Sequence, residues 1–174
     1  YEMNTNGSML IFENVTGYVT GDGNVAIFSN PGLDGGVKDD FMSNIALKKD
    51  KRTYSTADVE GTWAITFFGD DSGLSFWSSF GIMTCDSDGT CEVPLKVKHS
   101  DPGLVDQTVQ FQVSLAADGS YNGFSITGNI PHYSGAIGKD GNVMIFTLTP
   151  DWETDTNNRH IAVAVKCTAC ADTA

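Results

Sequence analysis

Along much of this chain apolar and polar residues alternate with a period of two, the spacing of a strand with one buried side. In Val109-Gln110-Phe111-Gln112-Val113-Ser114-Leu115 every odd residue is apolar and every even one polar. Val93-Pro94-Leu95-Lys96-Val97-Lys98 and Ile161-Ala162-Val163-Ala164-Val165-Lys166 follow the same rule. Branched and aromatic residues fill the apolar phase, which suits a pleated, half-buried surface. The separators are uniform too: Asp-Gly and a small polar residue at Asp22-Gly23-Asn24, Asp88-Gly89-Thr90, Asp118-Gly119-Ser120 and Asp140-Gly141-Asn142. Asp tolerates the turn and Gly supplies positive φ, so each marks a hairpin. From Gly61 onward the pattern predicts eight strands, at 62–68, 74–85, 90–98, 107–116, 120–130, 132–138, 142–149 and 159–167. Consecutive strands on short links usually pair. The expected fold is therefore all-β: an antiparallel up-and-down meander, closed as a barrel or stacked as a two-sheet sandwich.

The first fifty residues repeat part of this pattern. Residues 17–48 align without a gap on 135–166, with nine identities in 32 positions, among them Asp22/Asp140, Gly23/Gly141, Asn24/Asn142, Ala46/Ala164 and Lys48/Lys166. Residues 1–50 then read as a partial β-repeat (the back half of a unit), 51–60 as a linker, and 61–170 as a complete eight-stranded unit. A half unit leaves an apolar face and an unpaired strand edge. Three outcomes are expected: one larger sheet system, pairing with another chain by strand donation or exchange, or membership in a longer tandem array.

Four cysteines form two close pairs. A three-residue turn over Ser87-Asp88-Gly89 sets Cys85 opposite Cys91 as a non-hydrogen-bonded pair, where side chains come closest, so a disulfide is expected there. Cys167-Thr168-Ala169-Cys170 has redox spacing but follows a strand, without the helix N-terminus that lowers a thiol pKa. It reads as a local disulfide or a link elsewhere. Paired cysteines on an acidic chain point to an extracellular or cell-surface location.

Charge narrows the partners. With 10 basic and 22 acidic residues the net charge is −12, which argues against nucleic acid or anionic lipid. The longest apolar runs, such as Ile161–Val165, are far short of the roughly 20 residues of a spanning helix, so no membrane insertion is expected. No segment reads as a signal peptide, and Tyr1 opens a polar stretch as a processed N-terminus would.

Catalytic constellations are hard to find. His99, His132 and His160 stand far apart in sequence at strand ends, with no metal-binding spacing. Asp70-Asp71 and Asp86-Ser87-Asp88-Gly89 read as solvated turn carboxylates rather than a calcium loop. No catalytic residue, metal or cofactor is expected, and the chain reads as non-enzymatic. The aromatics are more informative. Trp63, Phe67, Phe68, Phe76, Trp77 and Phe80 crowd the first two strands of the complete unit, either as core or as an apolar pocket. Trp63, Trp77, Phe80 and Trp152 are the ligand-binding candidates. Trp152 or Tyr133 would serve a carbohydrate platform.

Gly61-Thr62-Trp63, opening an eight-stranded meander, resembles the Gly-x-Trp signature of lipocalins and related calycins. That resemblance implies a barrel with its Trp closing one end and a small apolar ligand inside. The phrase Thr53-Tyr54-Ser55-Thr56-Ala57-Asp58-Val59-Glu60-Gly61-Thr62-Trp63 resembles the junction in tandem β-repeat secreted or surface bacterial proteins. This second resemblance implies an extracellular structural role. The leading expectation is accordingly an extracellular fibre, surface-layer or adhesin component that self-associates through β-strands. The alternative is a calycin-like barrel for a small apolar ligand.

Overall fold

The computed structural model describes residues 2–3, 8–12, 15–20, 22–30, 42–71, 75–99, 104–125, 133–148 and 159–170. The chain divides into two compact units, Tyr1–Asp50 and Lys51–Ala174.

The first unit is a five-stranded antiparallel sheet in chain order: β1 (Glu2–Met3), β2 (Ser8–Phe12), β3 (Val15–Val19), β4 (Val25–Asn30) and β5 (Met42–Leu47). A register shift between Leu10 and Phe12 bends β2 against β3. The turn from β3 to β4 is the Asp-Gly turn read from sequence, with Gly23 at φ +70°. The Asp22 carboxylate accepts from the Thr20 hydroxyl and from the Asn24 backbone amide, an Asx turn that fixes the loop locally.

The second unit is a closed barrel of eight antiparallel strands: β6 (Gly61–Asp71), β7 (Ser75–Cys85), β8 (Thr90–His99), β9 (Leu104–Leu115), β10 (Ser120–Ser125), β11 (Tyr133–Ile137), β12 (Val143–Leu148) and β13 (Arg159–Lys166). Each strand pairs with the next, and β13 closes on β6 from Arg159↔Asp70 to Lys166↔Trp63. Of the two closures open to an eight-strand meander, the barrel forms and the sandwich does not. Closure leaves no edge and turns one phase of every strand inward. Trp63, Ile65, Phe67, Met83, Val93, Leu95, Val97, Val109, Phe111 and Val113 are buried on that phase. The outer phase is polar on β8 and β9. On β13–β6–β7 it keeps Val165, Phe68 and Phe80 about half exposed.

The stretch read as a linker is part of the barrel unit. Tyr54 and Val59 are buried in the barrel's own core. The Tyr54 backbone amide donates to Ala117 O at 3.0 Å, and the Arg52 guanidinium lies 4.3 Å from the Tyr54 ring centroid. A short 3-10 turn, η1 (Thr56–Val59), is held by a capping box between Ser55 and Asp58. The residues that read as spacer thus close one barrel end. Tyr54 and Val59 stand in a mostly polar run, and their burial is visible only once that end exists to be covered.

The repeat offset reappears in the backbone. Adding 118 to β3 (Val15–Val19) gives Tyr133–Ile137, which is β11, and adding it to β4 (Val25–Asn30) gives Val143–Leu148, which is β12. Pairing follows the same rule: Gly17↔Phe28 matches Gly135↔Phe146, and Val25↔Leu47 matches Val143↔Val165. So do the turns, where Thr20 N donates to Val25 O and Gly138 N to Val143 O, both at 2.8 Å. Lys48 N donates to Asn24 O as Lys166 N does to Asn142 O.

Candidate functional site

The barrel interior holds the hydrophobic core of the second unit, and its two ends differ. At the η1 end it is full. Trp63 has no exposure and donates its indole Nε1–H to Val59 O at 2.8 Å. Around it Met83, Cys91, Val93, Val113, Ile137, Met144 and Ala164 are likewise without solvent contact. From outside, Lys166 Nζ lies 5.2 Å from the Trp63 ring, a cation–π contact over the plug. The hairpin Cys85–Cys91 disulfide braces this end. Its cysteines are directly opposed, with Cα atoms 4.1 Å apart and Gly89 at φ +88° in the turn. A second disulfide joins Cys167 to Cys170. Both pairs thus form as local links.

The middle of the barrel is aromatic. Phe146 stands edge-on to Tyr121 and to Phe111, with centroids 5.0 and 5.8 Å away. The Tyr121 hydroxyl donates to Ile145 O. Gly135 makes this possible, since a Cβ there would lie 2.6 Å from the Tyr121 hydroxyl oxygen. Burial pushes the Tyr121 phenol well above its ordinary pKa and the Tyr133 phenol up to about 12.

Towards the other end the inner wall changes character. Ser79 faces inward in the row Phe67–Ser79–Val97 and is 1% exposed. Among the described residues its hydroxyl is the single buried side-chain polar atom without a hydrogen-bond partner. Buried hydroxyls are nearly always paired, and an unpaired one costs about 1–3 kcal/mol. Thr66 donates to the Ser79 carbonyl, leaving the side chain unserved. The next row runs His160–Gly69–Trp77–His99 by backbone register. There the Trp77 ring crosses Gly69 so closely that a Cβ on Gly69 would lie 2.4–2.6 Å from three ring atoms. Trp77 is half-buried against the core, one row along the inner wall from Ser79.

Of the four residues read as ligand-binding candidates, the three that are described separate in space. Trp77 lines the inner wall. Trp63 is consumed by the plug, as the calycin resemblance implied for a Trp at that place. Phe80 points outward and is 57% exposed, so it cannot line the interior. Trp152 lies outside the described residues. Tyr133, the alternative sugar platform, is buried on the inner wall beside Phe111. Ser79 was not legible as a site. Its only signal is a polar residue on the inward phase of Trp77-Ser78-Ser79-Phe80-Gly81, and Ser78 beside it blurs the alternation. Gly69 carried a clearer one, since a strand glycine marks a close approach by another group. Histidines far apart in sequence come to one end: the backbones of His99 and His160 share the Trp77 row.

No protein-family model matches this chain and no curated protein matches it, so the tandem-repeat resemblance has no matching family behind it. Among solved structures the chain is similar to "Odorant Binding Protein OBP1", at 18% identity, over 69% of this chain and 79% of that one, with a TM-score of 0.37.

Proposed function

We propose that the barrel of residues 51–170 binds a small, uncharged, largely apolar molecule that carries one hydrogen-bonding group. The observation behind this is the Ser79 hydroxyl, buried and unpaired in an apolar wall. A ligand hydroxyl or carbonyl reaching it would complete its hydrogen bonding. Beside the buried Tyr54, Tyr121 and Tyr133 phenols and the Trp63 indole, Ser79 is the one buried polar side chain among the described residues, and no buried side chain there is charged. An ionised ligand would therefore find no counter-charge, at a cost that favours neutral molecules. Access is from the Trp77 end, because Tyr54, Val59 and Trp63 fill the other. The reading is binding without catalysis, in an oxidising, extracytoplasmic compartment that the two disulfides favour.

Matched probes test it: octan-1-ol against n-octane, titrated by tryptophan fluorescence into wild type and Ser79→Ala. The expected result is tighter binding of the alcohol by wild type, and about a 2- to 10-fold loss for the alcohol alone in the variant. Equal affinity of both proteins for both probes would contradict it, as would no binding of either.

A second reading, a structural protein that self-associates through its strands, has one observation in its favour. The sheet of residues 1–50 carries the pairing registers of β11–β13, with β2 on β3 where the barrel has β10 on β11, but among the described residues no strand lies on β5 where β6 lies on β13.

A further inference from the structure

In the barrel, the outer edge of β13 is covered by β6 through eight paired residues. Coverage buries Ala164 completely and brings Lys166 over Trp63. In the five-stranded sheet the matching edge, that of β5, ends the sheet among the described residues. At the matched positions stand the same two residues, Ala46 and Lys48, both exposed. Strand pairing is made by backbone groups, and side chains then set the register. The backbone of β5 is fixed by the same β4 register and the same closing bond, from Lys48 N to Asn24 O, as that of β13. An edge built alike accepts the same strand. Met42–Leu47 also contains none of the usual edge protection: no charge, no proline.

We propose that β5 is a second acceptor for β6, and that the β6 it takes comes from a second copy of this chain. This rests on the self-association reading and gives it a donor and an acceptor. Each copy has two acceptor edges, β5 and β13, and one donor. Transfer of β6 from β13 of its own barrel to β5 of a neighbour conserves the number of pairings, and it frees a β13 edge for the next copy. Growth is therefore open-ended, and it begins only when a barrel opens, most readily during refolding at high protein concentration.

Cross-linking in the full chain tests this. In the barrel Ala64 is opposite Val165, and Val165 corresponds to Leu47 at the 118 offset. Leu47→Cys/Ala64→Cys therefore sets two thiols face to face only if β6 of one copy lies on β5 of another. The native cysteines are all in disulfides, so a short bis-maleimide joins only the introduced pair. Leu47→Cys/Phe68→Cys, displaced by four residues or about 13 Å, gives the background. Ala64→Cys/Val165→Cys reports the intact barrel. After unfolding in guanidinium with the disulfides kept, and refolding over a tenfold range of concentration, 47–64 links between copies are expected to exceed background. They should rise about tenfold with concentration. Links within one chain only, or no excess over 47–68, would overturn the proposal. If light scattering still shows association in that case, self-association stands and this seam is wrong; without association, both fall.

Discussion

The strands β3–β5 and β11–β13 have matching lengths over the first two, the same registers and the same turn bonds, yet they live in different surroundings. Ala164 is buried while Ala46 is exposed. Local sequence is therefore enough to make the three-stranded meander, and what encloses it decides which side chains become core. Barrel closure, rather than the hairpins, creates both the plug at Trp63 and the unpaired hydroxyl at Ser79.

Matched substitutions break the comparison most sharply at the buried pair. Ala164→Asp places an unpaired charge inside the barrel and is expected to cost about 3–5 kcal/mol, most of a small domain's stability. Ala46→Asp, on the open sheet, should stay within about 0.5 kcal/mol. Denaturant titration of both variants measures the gap, and equal losses would mean that the two strands are equally enclosed.

A second contrast lies at Tyr133, which corresponds to Val15. The folded barrel holds this phenol neutral, up to about 12, because burial disfavours the phenolate. An unfolded chain ionises it near pH 10. Its contribution is intact below about pH 10 and is lost as the pH rises towards 12, about 3 kcal/mol at most. Tyr133→Val should be less stable than wild type at neutral pH yet lose less between pH 10 and 12. Parallel alkaline unfolding curves for the two proteins would contradict this.

The smallest effect is in the turns. Asp22 is held below the usual carboxylate range, first by the Thr20 hydroxyl and then by the Asn24 backbone amide. The barrel has Gly138 where the sheet has Thr20. Thr20→Gly should move the Asp22 titration up towards its ordinary value, which carboxyl NMR reads directly. Stabilisation by that carboxylate is present above its unfolded pKa and fades as the pH falls through the folded one.

These contrasts also explain what the sequence disclosed. Alternation in Val109–Leu115, the Asp-Gly turns and the Cys85–Cys91 pair are local features, and each forms where it was read. The plug is not local. Tyr54 and Val59 sit in a polar run, and their burial depends on the end of a barrel to which residues as distant as Lys139 contribute. Trp63 and Trp77 read alike as aromatic candidates, but the direction of the strand sends one to the sealed end and the other to the wall near Ser79. Phe80 misled because aromatic crowding does not reveal phase, and its place one residue after Ser79 turns it outward.

Native-state hydrogen exchange, followed residue by residue in dilute protein, tests most directly whether enclosure by β6 separates the two strand sets. Amides of β12 and β13 should exchange only through global opening, while those of β5 should exchange far faster. Equal protection of β5 and β13 at low concentration would contradict the account, since the edge it leaves open would then already be covered.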